Sequence, residues 1–409
     1  MTKSIGIGLL AMATTASMAV ANGGEDEKKT PNNDPTLYQS QPVSFKPGSG
    51  ITFDGGDEFK LTLRSQLQTQ WRYNAMENSR DLHTFRVRRA RIALRGHVFN
   101  KNILYKLQLD ATDVGPPVKD GWAHWRFWNS EGGDSLALRA GQGKTFFGLE
   151  ATGTSAGLAF VERSLVTQTF TDLRTQGAWF FGSHAENKLR WNLGMQNGDV
   201  AGDSIFNVGE EFLNPDNLLN YVGNISFDPM GDMMSGAQVE KGTGKDNESF
   251  KQADVGHTEE VRGTIGGGFF FGNSRDPGNT FAIETQSFNL NTAWKVKGWG
   301  FMGEYFYRND DPQVAGGNAE TANGWFVQGS YTLPKSGDSD MQWGFPVRVG
   351  MVETDNFNNF LPGTPLGAAA GSITDFSLGV NAFYHGHACK TQVTYTFRSI
   401  DFDAPGTAD

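Results

Sequence analysis

The residues best suited to chemistry stand together at 86–99, "RVRRARIALRGHVF", with five arginines in the first ten positions. If this stretch is a strand, its side chains alternate between two faces. Arg89, Arg91, Ala93, Arg95 and His97 then share one face, and Ala90, Ile92, Leu94, Gly96 and Val98 share the other. Arg86 and Arg88 fall out of phase, which predicts a bulge or a strand end near residue 88. The chemistry available to such a row is recognition of an oxyanion, because a guanidinium is a planar fork that donates two hydrogen bonds. Three uses compete: a nucleic-acid patch, a solvated charged face, and a basic surface that an anion must pass. A one-sided stripe on a strand disfavours nucleic acid, whose basic tracts are usually helical or disordered.

Other chemistries find little material. The 409 residues contain one cysteine, Cys389, and seven scattered histidines. These give no disulfide framework, no CxxC pair and no HExxH zinc spacing. Nucleophile elbows, phosphate-cradling P-loops and dinucleotide fingerprints are also missing. The glycine-rich "GTIGGGFFFG" (263–272) lies in an aromatic run and reads as a strand. The chain is expected to be no enzyme and to use no cofactor or metal.

Among the elements around this row, the first residues predict export. Lys3 precedes an apolar stretch, Ile5 to Val20, followed by Ala19-Val20-Ala21, an A-x-A site with cleavage expected after Ala21. The apolar stretch is short for a membrane span. Residues 22–50, with Pro31, Pro35, Pro42 and Pro47, read as a flexible periplasmic leader, and residues 51–409 as one β-barrel.

Residues 58–72, "EFKLTLRSQLQTQWR", show the alternation most clearly. Phe59, Leu61, Leu63, Leu67 and Trp71 oppose a polar face that includes Arg64. Further strands are expected at 85–99, 102–112, 119–128, 134–143, 174–182, 187–196, 220–229, 259–271, 280–296, 298–308, 324–333, 343–353, 374–385 and 387–399. Short turns such as 100–102 and 385–387 alternate with long segments at 144–173, 197–219 and 230–258. Short turns at one end and long loops at the other is the pattern of outer-membrane barrels. A mean hydropathy of −0.44 fits one, because only alternate residues face lipid. Trp122, Trp125, Trp128, Tyr305, Tyr307, Tyr395 and Phe397 are expected in aromatic girdles at the two interfaces. Periodicity alone leaves a soluble β-sandwich open.

The whole-chain charge is −10. Cations recur on the polar strand faces: Lys106, Arg126, Arg139, Lys188, Arg190, Arg348, Lys390 and Arg398. Acidic residues gather between 199 and 260, among them Asp199, Asp203, Glu210, Glu211, Asp216, Asp254, Glu259 and Glu260. The expectation is basic inward faces with acidic loops, in a lumen that concentrates anions. The rival is a basic face neutralised by carboxylates such as Asp110 and Glu304.

Three ordered blocks carry a resemblance: "RRARIALRGHVFNKNILYKLQLDATD" (88–113), "LRAGQGKTFFGLE" (138–150) and "FVERSL" (160–165). They resemble the phosphate-selective porin O and P family, whose pattern runs RRAR-hydrophobic-GxxF, YKLxLD, LRxGQxKxPFGLE and FxERS. The resemblance implies a 16-stranded transmembrane antiparallel barrel, usually a homotrimer, in the outer-membrane lipid of a Gram-negative-type bacterium. It also implies passage of small anions such as phosphate or pyrophosphate, and an inward-folded constriction loop, here near 144–173. Lys144 and Arg163 would be that loop's cations, with Glu150 and Glu162 as structural partners. The anion pathway is thus expected to comprise Arg64, Arg89, Arg91, Arg95, Lys106, Arg126, Arg139, Lys144 and Arg163. Two features depart from the pattern. "KTFF" (144–147) replaces the usual proline-containing entry, and "RSIDFDAPGTAD" ends the chain without an aromatic-ended strand, so one strand is expected to be missing or merged. The alternatives are a porin for other solutes, without phosphate selectivity, and a secreted β-sandwich binding protein.

Overall fold

The computed structural model describes residues 2–16, 43–76, 81–112, 117–171, 174–197, 218–231, 233, 250–275, 282–337, 341–355 and 371–402. All fifteen strands expected from alternation are present. They follow three others: β1 (Thr2–Ala16), β2 (Val43–Lys46) and β3 (Gly50–Asp54). The wall begins with β4 (Phe59–Met76), β5 (Leu82–Val98), β6 (Ile103–Asp110), β7 (Val118–Asn129) and β8 (Ser135–Gly143). It continues through β9 (Thr175–His184), β10 (Leu189–Asn197), β11 (Leu219–Met230), β12 (Arg262–Arg275) and β13 (Ala282–Val296). The last five are β14 (Trp299–Pro312), β15 (Glu320–Thr332), β16 (Gln342–Thr354), β17 (Gly371–His385) and β18 (Cys389–Phe402).

From β4 to β18 each strand pairs antiparallel with the next, an up-and-down sheet. No ladder joins β18 to β4 among the described residues. β1, cut from the apolar stretch expected to be an export signal, lies between them and pairs with both. The residues around the expected cleavage site, 17–21, and the leader 22–42 lie outside the described residues, as does the tail 403–409. Residues 43–54, at the end of the expected leader and just beyond it, form the β2–β3 hairpin against β4.

The outward face of the wall is apolar. Ile92 is 54% exposed, Leu290 66% and Trp325 37%, and their strand neighbours point inward and are polar or tightly packed. A water-exposed sandwich does not carry such a continuous apolar band, whereas a barrel in lipid requires it. Trp125, Trp128, Tyr305, Tyr307, Tyr395 and Phe397 lie on this outer surface as expected. Trp122 does not. Only 7% exposed, it points into the lumen and packs on the Arg139 guanidinium, 3.9 Å from its ring centre. Trp122 shares the face of Asp120, His124 and Arg126, so its strand parity places it inside.

The ends of the barrel differ from expectation in one connection. In an up-and-down sheet successive connections alternate between ends. β10 therefore ends, and β11 begins, at the same end of the wall as β8 ends and β9 begins. β11 ends, and β12 begins, at the opposite end, the end of the short turns 297–298 and 386–388. Part of this connection, 250–258, is bonded to that end. Gly298 N–H donates to Asp254 Oδ2 at 2.8 Å, Lys297 N–H to Thr258 O at 2.7 Å, and Gln342 Nε2 to Val255 O at 3.2 Å.

Candidate functional site

The lumen is crossed by residues 144–171, which carry two short helices, α1 (Leu149–Thr152) and α2 (Leu165–Phe170). Phe146, Phe147, Leu149, Val166 and Phe170 are buried against lumen-facing Phe181, Met302, Phe306 and Phe326. A turn at Gly148 brings the chain to the wall. Its φ of 81° suits glycine, and a Cβ there would lie 3.0 Å from Phe306 and 3.2 Å from the Glu304 carboxylate. Glu304, on β14, accepts the Leu149 N–H at 3.0 Å and the Glu150 N–H at 2.5 Å.

Beyond α1 the segment touches several walls in turn. Ser155 Oγ accepts from Gln66 Nε2 (3.3 Å) and Arg91 Nη1 (3.4 Å) on β4 and β5. The Leu158 carbonyl accepts from Lys390 Nζ at 2.6 Å, and the Ala159 carbonyl from Asn381 (2.8 Å) and Gln392 (2.9 Å), on β17 and β18. The Glu150 carboxylate accepts from Ser164 N–H (2.9 Å), Thr167 Oγ1 (2.7 Å) and Gln252 Nε2 (3.0 Å). Ser164 in turn caps α2 by accepting the Thr167 N–H at 3.0 Å.

Glu162 lies at the head of the arginine row. Its Oε1 is 2.6 Å from Arg88 Nε and 3.8 Å from Arg86 Nη2, and its Oε2 is 3.2 Å from Arg89 Nη2. The expected bulge explains this convergence. The β4–β5 register shifts so that Gln68 faces Arg89 and Thr69 faces Val87, leaving Arg88 as the extra residue. Arg86, Arg88 and Arg89 all reach the lumen as a result, although simple alternation would put Arg86 and Arg88 on the face opposite Arg89. Burial pushes the Glu162 carboxyl up, but Arg89 and Arg88 reverse this and hold it down at about 2.

The expected pathway residues divide into groups. Arg91 pairs with Asp110 at 2.7 Å, as the neutralised-face reading expects. Lys106 pairs with Asp120 at 2.8 Å, and Arg174 shares that carboxylate at 2.8 Å. Arg126 and Arg139 are 7% and 3% exposed, and Arg139 Nε donates to His124 Nδ1 at 3.4 Å. Arg64 and Arg95 are half-buried on the lumen faces of β4 and β5. Lys144 and Arg163, expected to face the passing anion, are engaged by the loop's own backbone. Lys144 Nζ donates to Thr152 O (2.5 Å) and Gly153 O (2.8 Å), and Arg163 to Glu150 O (3.0 Å) and Gly153 O (2.9 Å). Burial pulls the Arg163 guanidinium down to about 10, opposed by Glu150, so it stays charged at neutral pH.

Arg86 and Arg88, out of phase with the alternation, and Arg174 join the lumen cations without a signal in the strand pattern. Arg348, a lumen cation by alternation, is also a loop contact. Its Nη1 donates to Glu162 O at 3.3 Å, and its guanidinium lies 4.4 Å from the Phe160 ring centre. The separation of basic lumen from acidic loops also needs revision. Asp110, Asp120, Asp228, Glu304, Asp310 and Asp375 all stand on lumen faces, Asp254 lies buried in the inserted 250–258 segment, and most acidic residues of 199–249 lie outside the described residues.

A family model described as phosphate-selective porin O and P matches residues 59–339, the greater part of the chain. The chain belongs to the phosphate-selective porin O and P family. It is therefore an outer-membrane β-barrel porin. None of the curated proteins matches the sequence. Among solved structures, OmpT of Vibrio cholerae is similar at 12% identity and a TM-score of 0.44, over 85% of this chain and 99% of that one. OprB of Pseudomonas putida is similar at 6% identity and a TM-score of 0.43, over 98% and 94%. OprD of Pseudomonas aeruginosa gives 9% identity and a TM-score of 0.36, over 98% and 94%. With each TM-score below 0.5, the family match and the strand ladders carry the assignment.

Proposed function

We propose that this porin passes small anions in preference to cations, by passive diffusion, and that phosphate-sized oxyanions are its natural cargo. One observation carries the reading: Arg86, Arg88 and Arg89 converge on a single carboxylate, Glu162, at a partly water-exposed point beside the inserted loop. Three guanidinium groups against one carboxylate leave local positive charge, and a narrow low-dielectric passage magnifies its effect on ions. Arg91, Arg95 and Arg64 continue the basic row along the same wall. Phosphate as the cargo rests on the family, as does the proposal that the chain sits in outer-membrane lipid as a homotrimer.

Reversal potentials across planar bilayers in a KCl gradient test the reading. An anion-selective current is expected, and it should weaken when Arg88 and Arg89 are both replaced by Gln. A cation-selective current from the unaltered protein overturns it. A porin in which Asp110, Asp120 and Asp375 neutralise the whole wall would show no preference.

A further inference from the structure

We propose that the Glu162 carboxylate is a tethered occupant of the arginine site, an internal anion that an incoming oxyanion must displace in order to pass. The inference rests on the anion-preferring reading and deepens it. The side-on engagement of a guanidinium fork by two carboxylate oxygens is also the way such a fork takes a phosphate edge. Glu162 adopts it: Oε1 is 2.6 Å from Arg88 Nε, and Oε2 is 3.3 Å from Arg88 Nη2 and 3.2 Å from Arg89 Nη2.

Exposure of the carboxylate separates Glu162 from the other paired carboxylates on the lumen faces, whose side chains are 10% exposed at Asp375, 7% at Asp310 and 3% at Asp110. The side chains of Arg190 and Asp228 are 1% and 0% exposed, and those of Lys106 and Asp120 are 3% and 2%. Such sealed pairs hold the wall together and offer a solute no approach. Arg86, Arg88 and Glu162 are instead 34%, 30% and 26% exposed, so water and a dissolved anion reach them. The backbone around Glu162 is meanwhile fixed from the far side. Arg348 Nη1 donates to Glu162 O at 3.3 Å, and the Val161 N–H donates to Thr394 Oγ1 at 3.4 Å. The carboxylate is thus delivered to the arginines by an anchored stretch, while its own side-chain torsions allow it to swing away.

A ligand on a short tether competes at an effective concentration in the millimolar range. Glu162 therefore weakens the hold of the arginines on any free anion and speeds its release, which suits a channel whose solute must leave as readily as it enters. An arginine site without it would bind more tightly and saturate sooner.

The test is single-channel conductance of the purified full chain against inorganic phosphate concentration, for the unaltered protein and for Glu162→Gln, with KCl reversal potentials measured alongside. The half-saturating phosphate concentration is expected to fall by roughly tenfold in Glu162→Gln, with a lower maximal current and a stronger anion preference. An unaltered protein that prefers anions, combined with an equal or higher half-saturating concentration in the variant, overturns the inference and leaves the anion reading standing. An unaltered protein without anion preference removes both. Glu162→Asp serves where Glu162→Gln fails to assemble. It keeps the charge but draws the carboxylate back by one methylene, so a smaller fall is expected, and no fall overturns the proposal.

Discussion

Asp120 sits between two cations, Lys106 and Arg174, each 2.8 Å away, and is 2% exposed. Taking charged groups out of water is costly, and the pairing repays the cost only while every partner is present. Asp120→Asn leaves the two cations without their common counter-charge. It is expected to lower barrel stability by about 3–5 kcal/mol, read as a drop in the urea midpoint of unfolding from lipid vesicles. At this scale sequence gave the residue types well and the pairings poorly. Lys106 was legible as an inward cation from its place on an alternating strand. Its partner was not, because cross-strand register depends on bulges, and the β6–β7 ladder shifts between Gln108 and Leu109. Lys144 and Arg163 failed for another reason. Nothing in their spacing announces that the carbonyls of residues 150–153 will claim them.

Strand β5 shows what one extra residue does to an element. A bulge opposes two residues to one, so removing one of the two restores plain pairing without turning the remaining side chains over. Deletion of Arg88 is therefore expected to leave the barrel assembled, with Arg86 and Arg89 still inward and one guanidinium fewer. Deletion of Ala93, in a regular part of the same strand, reverses the faces of the residues to one side of it and is expected to abolish assembly. Heat-modifiable electrophoretic mobility of the outer-membrane fraction distinguishes the two. The bulge was legible in the sequence, because five arginines in ten residues cannot all satisfy one alternation. The fifteen wall strands were legible for the same physical reason, lipid on one side and water on the other. The β2–β3 hairpin was not, since Val43–Lys46 is only four residues long and follows a proline-rich stretch.

Across the whole molecule, two segments enter the lumen from opposite ends and meet. Gln252, in the segment from the short-turn end, donates its N–H to Gly157 O at 2.8 Å and accepts the Ala159 N–H through Oε1 at 2.8 Å. The same oxygen accepts from Gln328 Nε2 on β15 at 3.0 Å, and Nε2 donates to Glu150 Oε1 at 3.0 Å. Gln252→Ala removes these side-chain bonds to Ala159, Glu150 and Gln328 while leaving the wall intact. It is expected to raise single-channel conductance and current noise without changing the heat resistance of the barrel. An unchanged conductance would show that the junction does not set the width of the pore. The strand count held the clue to this arrangement. The β11–β12 connection is the third after residues 144–174, an odd number, so parity alone starts it from the other end, whereas reading by loop length groups both segments together.

The contacts that seat residues 144–171 also have a consequence for the order of events during biogenesis. The segment is bonded to partners 155 residues away at Glu304, 222 at Asn381 and 233 at Gln392. Contacts so distant along the chain form late, after the intervening chain has found its place. The loop therefore lacks this part of its docking surface until β14–β18 have joined the wall. A channel inserted before that last docking would stand as a wider, unguarded hole, so prompt docking would keep a newly made porin from leaking.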